Sequence, residues 1–241
     1  MKIHSAFLLI IVIPILVIGS QALATDPEAE EADVEAVRTR YWARGEEAEM
    51  GVVQNRTFSK TGKVELGLGV GTLTTDPFLA VSTVGMRGAY HFNETFSLGF
   101  MLWKDLVSPS TALETFEDNL GATTNNNPPS GYLGIEGAAS LAYGKLSLLG
   151  QKIIYYDLHV LAGAGATDTE SGIYLTPHLG IGQQVFLMDR MSLRVDYRAQ
   201  FYRETIVEKV ITPRLGETVG ERNNWSHSIQ LGVSLYIGGA R

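Results

Sequence analysis

The stretch "KVELGLGVGTL" (residues 63–73) alternates without a break. Val64, Leu66, Leu68 and Val70 occupy one parity, while Glu65, Gly67, Gly69 and Gly71 occupy the other. A half-buried strand of a soluble protein pairs an apolar face with a polar, hydrated one. Here the second face is nearly empty, yet it holds a carboxylate. That combination constrains the fold more than any other feature of the chain.

The same period of two recurs in seven further segments. In "AVSTVGMRGAYHF", Val84, Met86, Tyr90 and Phe92 stand opposite Arg87 and His91. Phe96, Leu98, Phe100 and Leu102 line one face of "TFSLGFMLWK". Leu133, Ile135 and Leu141 oppose Gly134 and Glu136; Ile154, Tyr156, Leu158 and Val160 oppose Asp157 and His159. Leu175, Leu179, Ile181 and Val185 oppose Thr176, His178 and Gln184. Leu193, Val195, Tyr197 and Phe201 oppose Arg194, Asp196, Arg198 and Gln200. The last segment sets Ile229, Leu231, Val233 and Leu235 against Ser228, Gln230 and Ser234. Eight runs of about ten residues, each ~25 Å tall once tilted, match the apolar band of a membrane barrel better than the shorter strands of a soluble sandwich. The fold class expected is all-β, an eight-stranded antiparallel up-and-down transmembrane β-barrel.

Parity then separates inside from outside. If the apolar rows faced a core, glycine and serine would crowd the outer surface, where nothing demands small residues. If the apolar rows face lipid, the other rows fill a lumen just wide enough for side chains, and some positions must be small so that others can hold arginine. This reading predicts a lumen ion-pair network of Glu65, Arg87, His91, Glu136, Asp157, His159, Arg194, Asp196 and Arg198, with Glu65 paired to Arg87 or to an arginine of the seventh strand. Such a network closes a lumen to free solute passage. The competing chemical reading, Asp157 and His159 as the acid and base of a hydrolase, sets two residues on one face ~7 Å apart along a strand and away from the rim. Ser226 and His227 are adjacent and point to opposite faces, so they form no single site.

The start of the chain reads as a secretory signal peptide, residues 1–24: a basic "MKIH", an apolar run interrupted by Pro14, and small residues at Ala22 and Ala24. Residues 25–62 read as an acidic, in part helix-compatible periplasmic arm and linker, and residues 63–241 as the barrel. The 241-residue chain has a net charge of −7, and residues 25–50 alone hold nine acidic and three basic residues, so the acidity is concentrated in the arm. This balance argues against nucleic acid as a partner. Without cysteine there is no disulfide, thiolate metal site or lipid-modified N-terminal cysteine, and five scattered histidines show no ligand spacing. No cofactor or metal is expected, nor a catalytic residue. "GLGVG" is followed by no GK[ST] and opens no helix, so it is not a phosphate loop.

An even strand number puts both termini in the periplasm, with short inner turns at Asn93-Glu94 and Met188–Arg190 and long outer loops at 105–130 and 203–224. A helix from Ser110 to Leu120 is expected in the first of these loops, with Ser110 as its N-cap. The inner connection at 144–152 reads as long and partly apolar. Pro177 predicts a bulge or strand end. Tyr90, Phe92, Phe96, Phe186 and Tyr236 are placed in an inner aromatic girdle, and Phe78, Trp103, Tyr132, Tyr174, Phe201 and Trp225 in an outer one.

The stretch "VVQNRTFSKTGKVELGLGVGTLTTDPF" (52–78), with "YHFNETFSLGF" (90–100) and "GKLSLLGQKIIYYDLHVLAGAG" (144–165), resembles the outer-membrane β-barrel domain family of myxobacteria, Bdellovibrio-like bacteria and their relatives. Val53, Gln54, Asn55, Arg56, Glu65, Asp76-Pro77-Phe78 and Tyr90 to Glu94 carry the resemblance. It implies a small single-chain barrel of a Gram-negative outer membrane, with no catalytic motif, and some relatives serve envelope-spanning machinery. The chain departs from the usual barrel ending, since Tyr236 is followed by "IGGAR". The function expected is a monomeric, non-enzymatic anchor or scaffold with outer-membrane lipids around it and envelope proteins reached through residues 25–62. A narrow solute channel, or a rim-loop adhesin or hydrolase, is the alternative.

Overall fold

The computed structural model describes residues 56–148 and 152–238. The expected signal peptide, the acidic arm up to residue 55 and the last three residues lie outside the described residues. Eight strands follow one another: β1 (Lys63–Thr74), β2 (Leu79–His91), β3 (Phe96–Pro109), β4 (Pro129–Leu148), β5 (Lys152–Thr169), β6 (Gly172–Met188), β7 (Met191–Val207) and β8 (Thr218–Gly238), with one helix, α1 (Thr111–Leu120), between β3 and β4. Each strand pairs with the next, and β8 pairs back onto β1, so the sheet is a closed antiparallel barrel. The closing ladder runs from Lys63↔Gly238 to Thr74↔His227. Closure leaves no edge strand along that seam, which removes the unpaired backbone an open sheet would expose.

The barrel is inside out relative to a soluble one. Leu68, Leu133, Leu175 and Leu179 are 68%, 57%, 77% and 67% exposed, while Glu65, Glu136, Asp157 and Arg198 are 0% to 1% exposed. On β8 the outward apolar row runs from Trp225 to Ile237, interrupted only by His227, which is ~30 Å of height after strand tilt.

Several expectations are corrected. The strands are 12 to 21 residues long, because hairpins continue past the apolar band where both faces meet water and alternation is no longer enforced. The β7–β8 ladder therefore occupies most of the expected 203–224 loop, leaving a connection of 208–217. The 144–152 segment is no long inner loop: β4 runs to Leu148, β5 starts at Lys152, and those two residues are paired. Pro177 makes neither bulge nor strand end on the β5 side, where it sits in register with Ala164. Its missing N–H shows on the other side, where the β6–β7 ladder starts only at His178↔Gln200. Trp103, Tyr132, Phe186 and Tyr236 are not girdle residues. They are 2% to 6% exposed and share the inward parity of their strands. Tyr90, Phe92, Phe96 and Trp225 do face outward.

A bulge between Ser140 and Ala142 shifts the parity of β4. Glu136 points inward on the even row, and after the bulge Tyr143 does so on the odd row, at the end of the barrel where β1 begins and β8 ends. The helix α1 begins where its cap predicts. Leu113 N donates to Ser110 Oγ (3.3 Å), and Gly121, at φ 62°, closes it with an N–H to Glu117 O (2.8 Å).

Candidate functional site: the charged lumen and its two stoppers

All nine residues of the expected network face the lumen, with exposures between 0% and 9%. Eight of them form two linked clusters, and Asp157 stands apart, paired to Lys60 and Arg56. In the first, Glu65 accepts from Ser234 Oγ (2.7 Å), lies 2.9 Å from His91 Nε2, and has Arg194 Nη1 at 3.5 Å and Arg87 Nη1 at 4.0 Å. The second centres on two carboxylates. Asp196 receives Arg194 Nε (2.7 Å) and Arg198 Nη2 (2.9 Å) and stands 3.0 Å from His159 Nε2. Glu136 receives Arg198 Nε (2.6 Å) and Nη2 (3.2 Å), with His178 Nε2 at 3.2 Å and Arg87 Nη2 at 3.6 Å. Each of the three carboxylates thus meets two arginines and a histidine. Burying an ion is tolerable only with this degree of compensation, since an isolated buried carboxylate costs several kcal/mol. Tyr132 adds a lid: its Oη is 2.9 Å from His178 Nδ1, and its ring stacks on Trp103 at 4.2 Å.

Glycines on the same parity make room. A Cβ on Gly182 would strike both the Asp196 carboxylate and the His159 ring, and one on Gly163 would strike His178. The opening puzzle has the same solution on β1, where Gly67 and Gly69 face a cavity of ≈ 50 Å³ that also touches Gly85, Arg87, Arg194 and Gly232.

The Asp157–His159 pair does not assemble for hydrolysis. The imidazole Nδ1 is 3.9 Å from Asp157 Oδ1, and its Nε2 is turned to Asp196. The nearby hydroxyl of Ser140 donates to Asp157 Oδ2 (2.7 Å) rather than to the ring. Ser226 is buried in the lumen, whereas His227 is on the outer surface, 2.8 Å from Tyr197 Oη, so they lie on opposite faces of the wall.

Further lumen residues extend the network. Toward the loops, Glu204 is fully buried and receives Asn127 Nδ2 (2.6 Å), Asn224 Nδ2 (2.9 Å) and Arg222 Nε (2.8 Å), while Arg222 Nη1 reaches Asp76 at 2.9 Å. Asn127 also donates to Thr169 Oγ1 (3.1 Å) and accepts from Ser171 N (3.1 Å). It ties the loop after α1 across β5, the β5–β6 turn and β7, and stoppers that end. Glu204 continues the even row of Arg194, Asp196 and Arg198, so its parity was a usable signal.

The other end is stoppered by residues 56–62, assigned to the linker from sequence. Lys60 is buried, with Nζ 2.9 Å from Asp157 Oδ2, and Arg56 Nη1 is 3.5 Å from the same oxygen. Phe58 stacks on Phe186 (5.2 Å, 5°) and meets Tyr155 edge-on (5.2 Å). At the rim, Glu94 accepts from Thr61 Oγ1 (2.7 Å), Ser59 Oγ and the backbone N of Lys60 and Thr61. Burial pushes the Glu94 carboxyl up, but the hydrogen bonds from Ser59, Thr61 and the Lys60 backbone outweigh it and hold the group at about 2.

No family model and no curated protein matches the chain. Among solved structures it is similar to a de novo designed transmembrane β-barrel (13% identity, 74% of this chain and 98% of that one, TM-score 0.38). It is similar too to the outer membrane protein OprG of Pseudomonas aeruginosa (9%, 76% and 99%, 0.42) and to Ail, the attachment invasion locus protein of Yersinia pestis (10%, 73% and 99%, 0.38).

Proposed function

We propose that this protein is a bacterial outer-membrane β-barrel that serves as a non-conducting, non-enzymatic anchor or scaffold of the envelope. The observation that carries the reading is the inverted distribution of polarity around one closed sheet. Outward rows such as Leu66, Leu68 and Val70 expose aliphatic side chains, and the inward rows hold a compensated ion-pair network. In water that surface would drive aggregation, whereas in a bilayer it meets hydrocarbon, and the closed ladder leaves few backbone groups unpaired. The filled lumen and the stopper at each end support a closed wall rather than a pore.

In this reading, residues 1–24 are removed near Ala24, the termini face the periplasm, and residues 25–55 reach envelope protein partners. The resemblance to the myxobacterial and Bdellovibrio-like barrel family points the same way. A narrow channel is the second reading, favoured by the cavity beside Arg87. Outer-membrane fractionation with heat-modifiable gel migration tests the barrel's place, and recovery in the soluble periplasm would refute it. Planar-bilayer recording tests the closed wall: a flat baseline is expected, and stable single-channel steps would overturn it.

A further inference from the structure

Residues 56–61 alternate in exposure, with Arg56, Phe58 and Lys60 turned toward the barrel and Thr57, Ser59 and Thr61 exposed. Each inward side chain has its own receptor. Lys60 enters the lumen to Asp157, Phe58 fits between Phe186 and Tyr155, and Arg56 lies over the Tyr143 ring at 4.7 Å from its centroid. The Tyr143 hydroxyl also accepts from Phe58 N (3.3 Å), and Arg56 Nη1 donates to Glu94 O (3.1 Å).

The charge pattern marks this mouth as a receptor. Among the strand residues of the network, Glu65, Glu136 and Asp196 are each met by two arginines from the strands. Asp157 is fully buried, and its only arginine or lysine partners among the described residues are Arg56 and Lys60. At this mouth the wall therefore buries a carboxylate that its own cations do not neutralise. Among the described residues only two backbone hydrogen bonds tie this segment to neighbouring backbone, Gly62 N to His91 O (2.8 Å) and Lys63 N to Lys60 O (3.1 Å), and both lie at its end nearest β1. Side chains hold the rest.

We infer that the mouth of the barrel where β1 begins and β8 ends is a peptide-recognition site for an alternating cation–x–aromatic–x–cation segment, occupied in cis by Arg56–Lys60. Asp157 reads the last cation, the Phe186–Tyr155 pair reads the aromatic, and Tyr143 with Glu94 reads the first cation, Glu94 also accepting from the Ser59 hydroxyl. The occupant is held by side chains outside the sheet, so it exchanges with a free peptide of the same pattern without opening a strand.

The test uses the full chain folded in detergent micelles and a fluorescent peptide of sequence VVQNRTFSKTG, residues 52–62. The variant F58A/K60A weakens the cis occupant and leaves the receptor intact. It should bind the peptide, while wild type binds at least about tenfold more weakly because its own segment competes; adding Asp157→Asn to the variant should weaken binding by about tenfold or more, the scale of one charge-assisted hydrogen bond. Equal binding to wild type and F58A/K60A, no binding to a heat-modifiable F58A/K60A, or binding indifferent to Asp157→Asn overturns the inference. If F58A/K60A does not fold, F58A alone decides. Trypsin should cleave after Lys60 at least about tenfold faster than in wild type, since an aromatic contact and its buried area are lost, and equal cleavage overturns the inference.

Discussion

Replacing Glu136 by alanine tests whether the lumen network stabilises the barrel. Glu136 is 1% exposed and receives Arg198 Nε at 2.6 Å and Nη2 at 3.2 Å, with His178 at 3.2 Å and Arg87 at 3.6 Å. Without it, Arg198 keeps Asp196 (2.9 Å) and Gln230 Oε1 (3.0 Å), and Arg87 keeps only Glu65 at 4.0 Å. Three buried guanidinium groups then face two carboxylates. Removing one partner of a buried pair costs about 3–5 kcal/mol, because the stranded charge has lost its compensation. The control is Glu221→Ala, which removes a pair to Arg203 whose side chains are 54% and 69% exposed. That loss should be about 0–1 kcal/mol. Urea unfolding in micelles, followed by tryptophan fluorescence, measures both. Trp103 sits on Tyr132 next to the network and reports its collapse. Replacing the pair together, Glu136→Leu with Arg198→Met, should cost less than the sum of the single changes, since no unpaired charge is left between them. A Glu136→Ala protein within about 1 kcal/mol of wild type would show that the ion pairs do not hold the lumen.

Other consequences concern the wall, the glycines and the stopper. Leu68→Arg puts a charge on the outward belt at a site 68% exposed, and should destabilise the barrel in vesicles by about 2–4 kcal/mol; an unchanged urea midpoint would contradict the lipid-facing assignment. Gly182→Ala should cost about 1–3 kcal/mol because its methyl meets both Asp196 and His159, while Gly67→Ala, whose nearest atom is Ser234 Oγ at 3.1 Å, should cost less. Reversal of that order in the same unfolding assay would break the link between glycine and lumen packing. Glu94 is held at about 2, well below the ordinary carboxyl value of 4.5. A depressed carboxyl contributes its stability in full above 4.5 and loses it as pH falls toward 2. A nitroxide on Thr57→Cys should stay immobilised at pH 5 and loosen only on approach to pH 2; loosening by pH 5 would contradict the hydrogen-bond assignment.

Which parts of this architecture a reader can take from the sequence depends on where the chain meets two different media. Along β1, hydrocarbon on one side and packed charge on the other impose strict alternation, so the side that each residue faces is written in the pattern. Parity names the side and not the partner: Glu65 and Arg87 are legible as lumen residues, but which arginine stands nearer, Arg194 at 3.5 Å or Arg87 at 4.0 Å, depends on strand stagger. Beyond the band both faces are wet, alternation lapses, and the outer reaches of β7 and β8 pass for loop. Aromatic type alone points Trp103 and Tyr132 to a girdle, whereas their parity, opposite to that of Leu102 and Leu133, points them inward. Ser110 was readable because its signal is local, a side-chain oxygen facing the free N–H groups of one turn. Lys60 was not, since its pairing with Asp157 joins positions 97 residues apart and follows no period.

The central claim is that one face of each strand meets lipid and the other a closed, charged lumen. Because the chain has no cysteine, single cysteines at Leu66, Gly67, Leu68, Gly69 and Val70 report each face without background. In vesicles, a fluorophore at 66, 68 and 70 should be quenched by a lipid-borne quencher and protected from an aqueous one. Cysteines at 67 and 69 should resist both the aqueous maleimide and the lipid quencher. Labelling of 66, 68 and 70 by the aqueous reagent, with no alternation along the strand, would contradict the account.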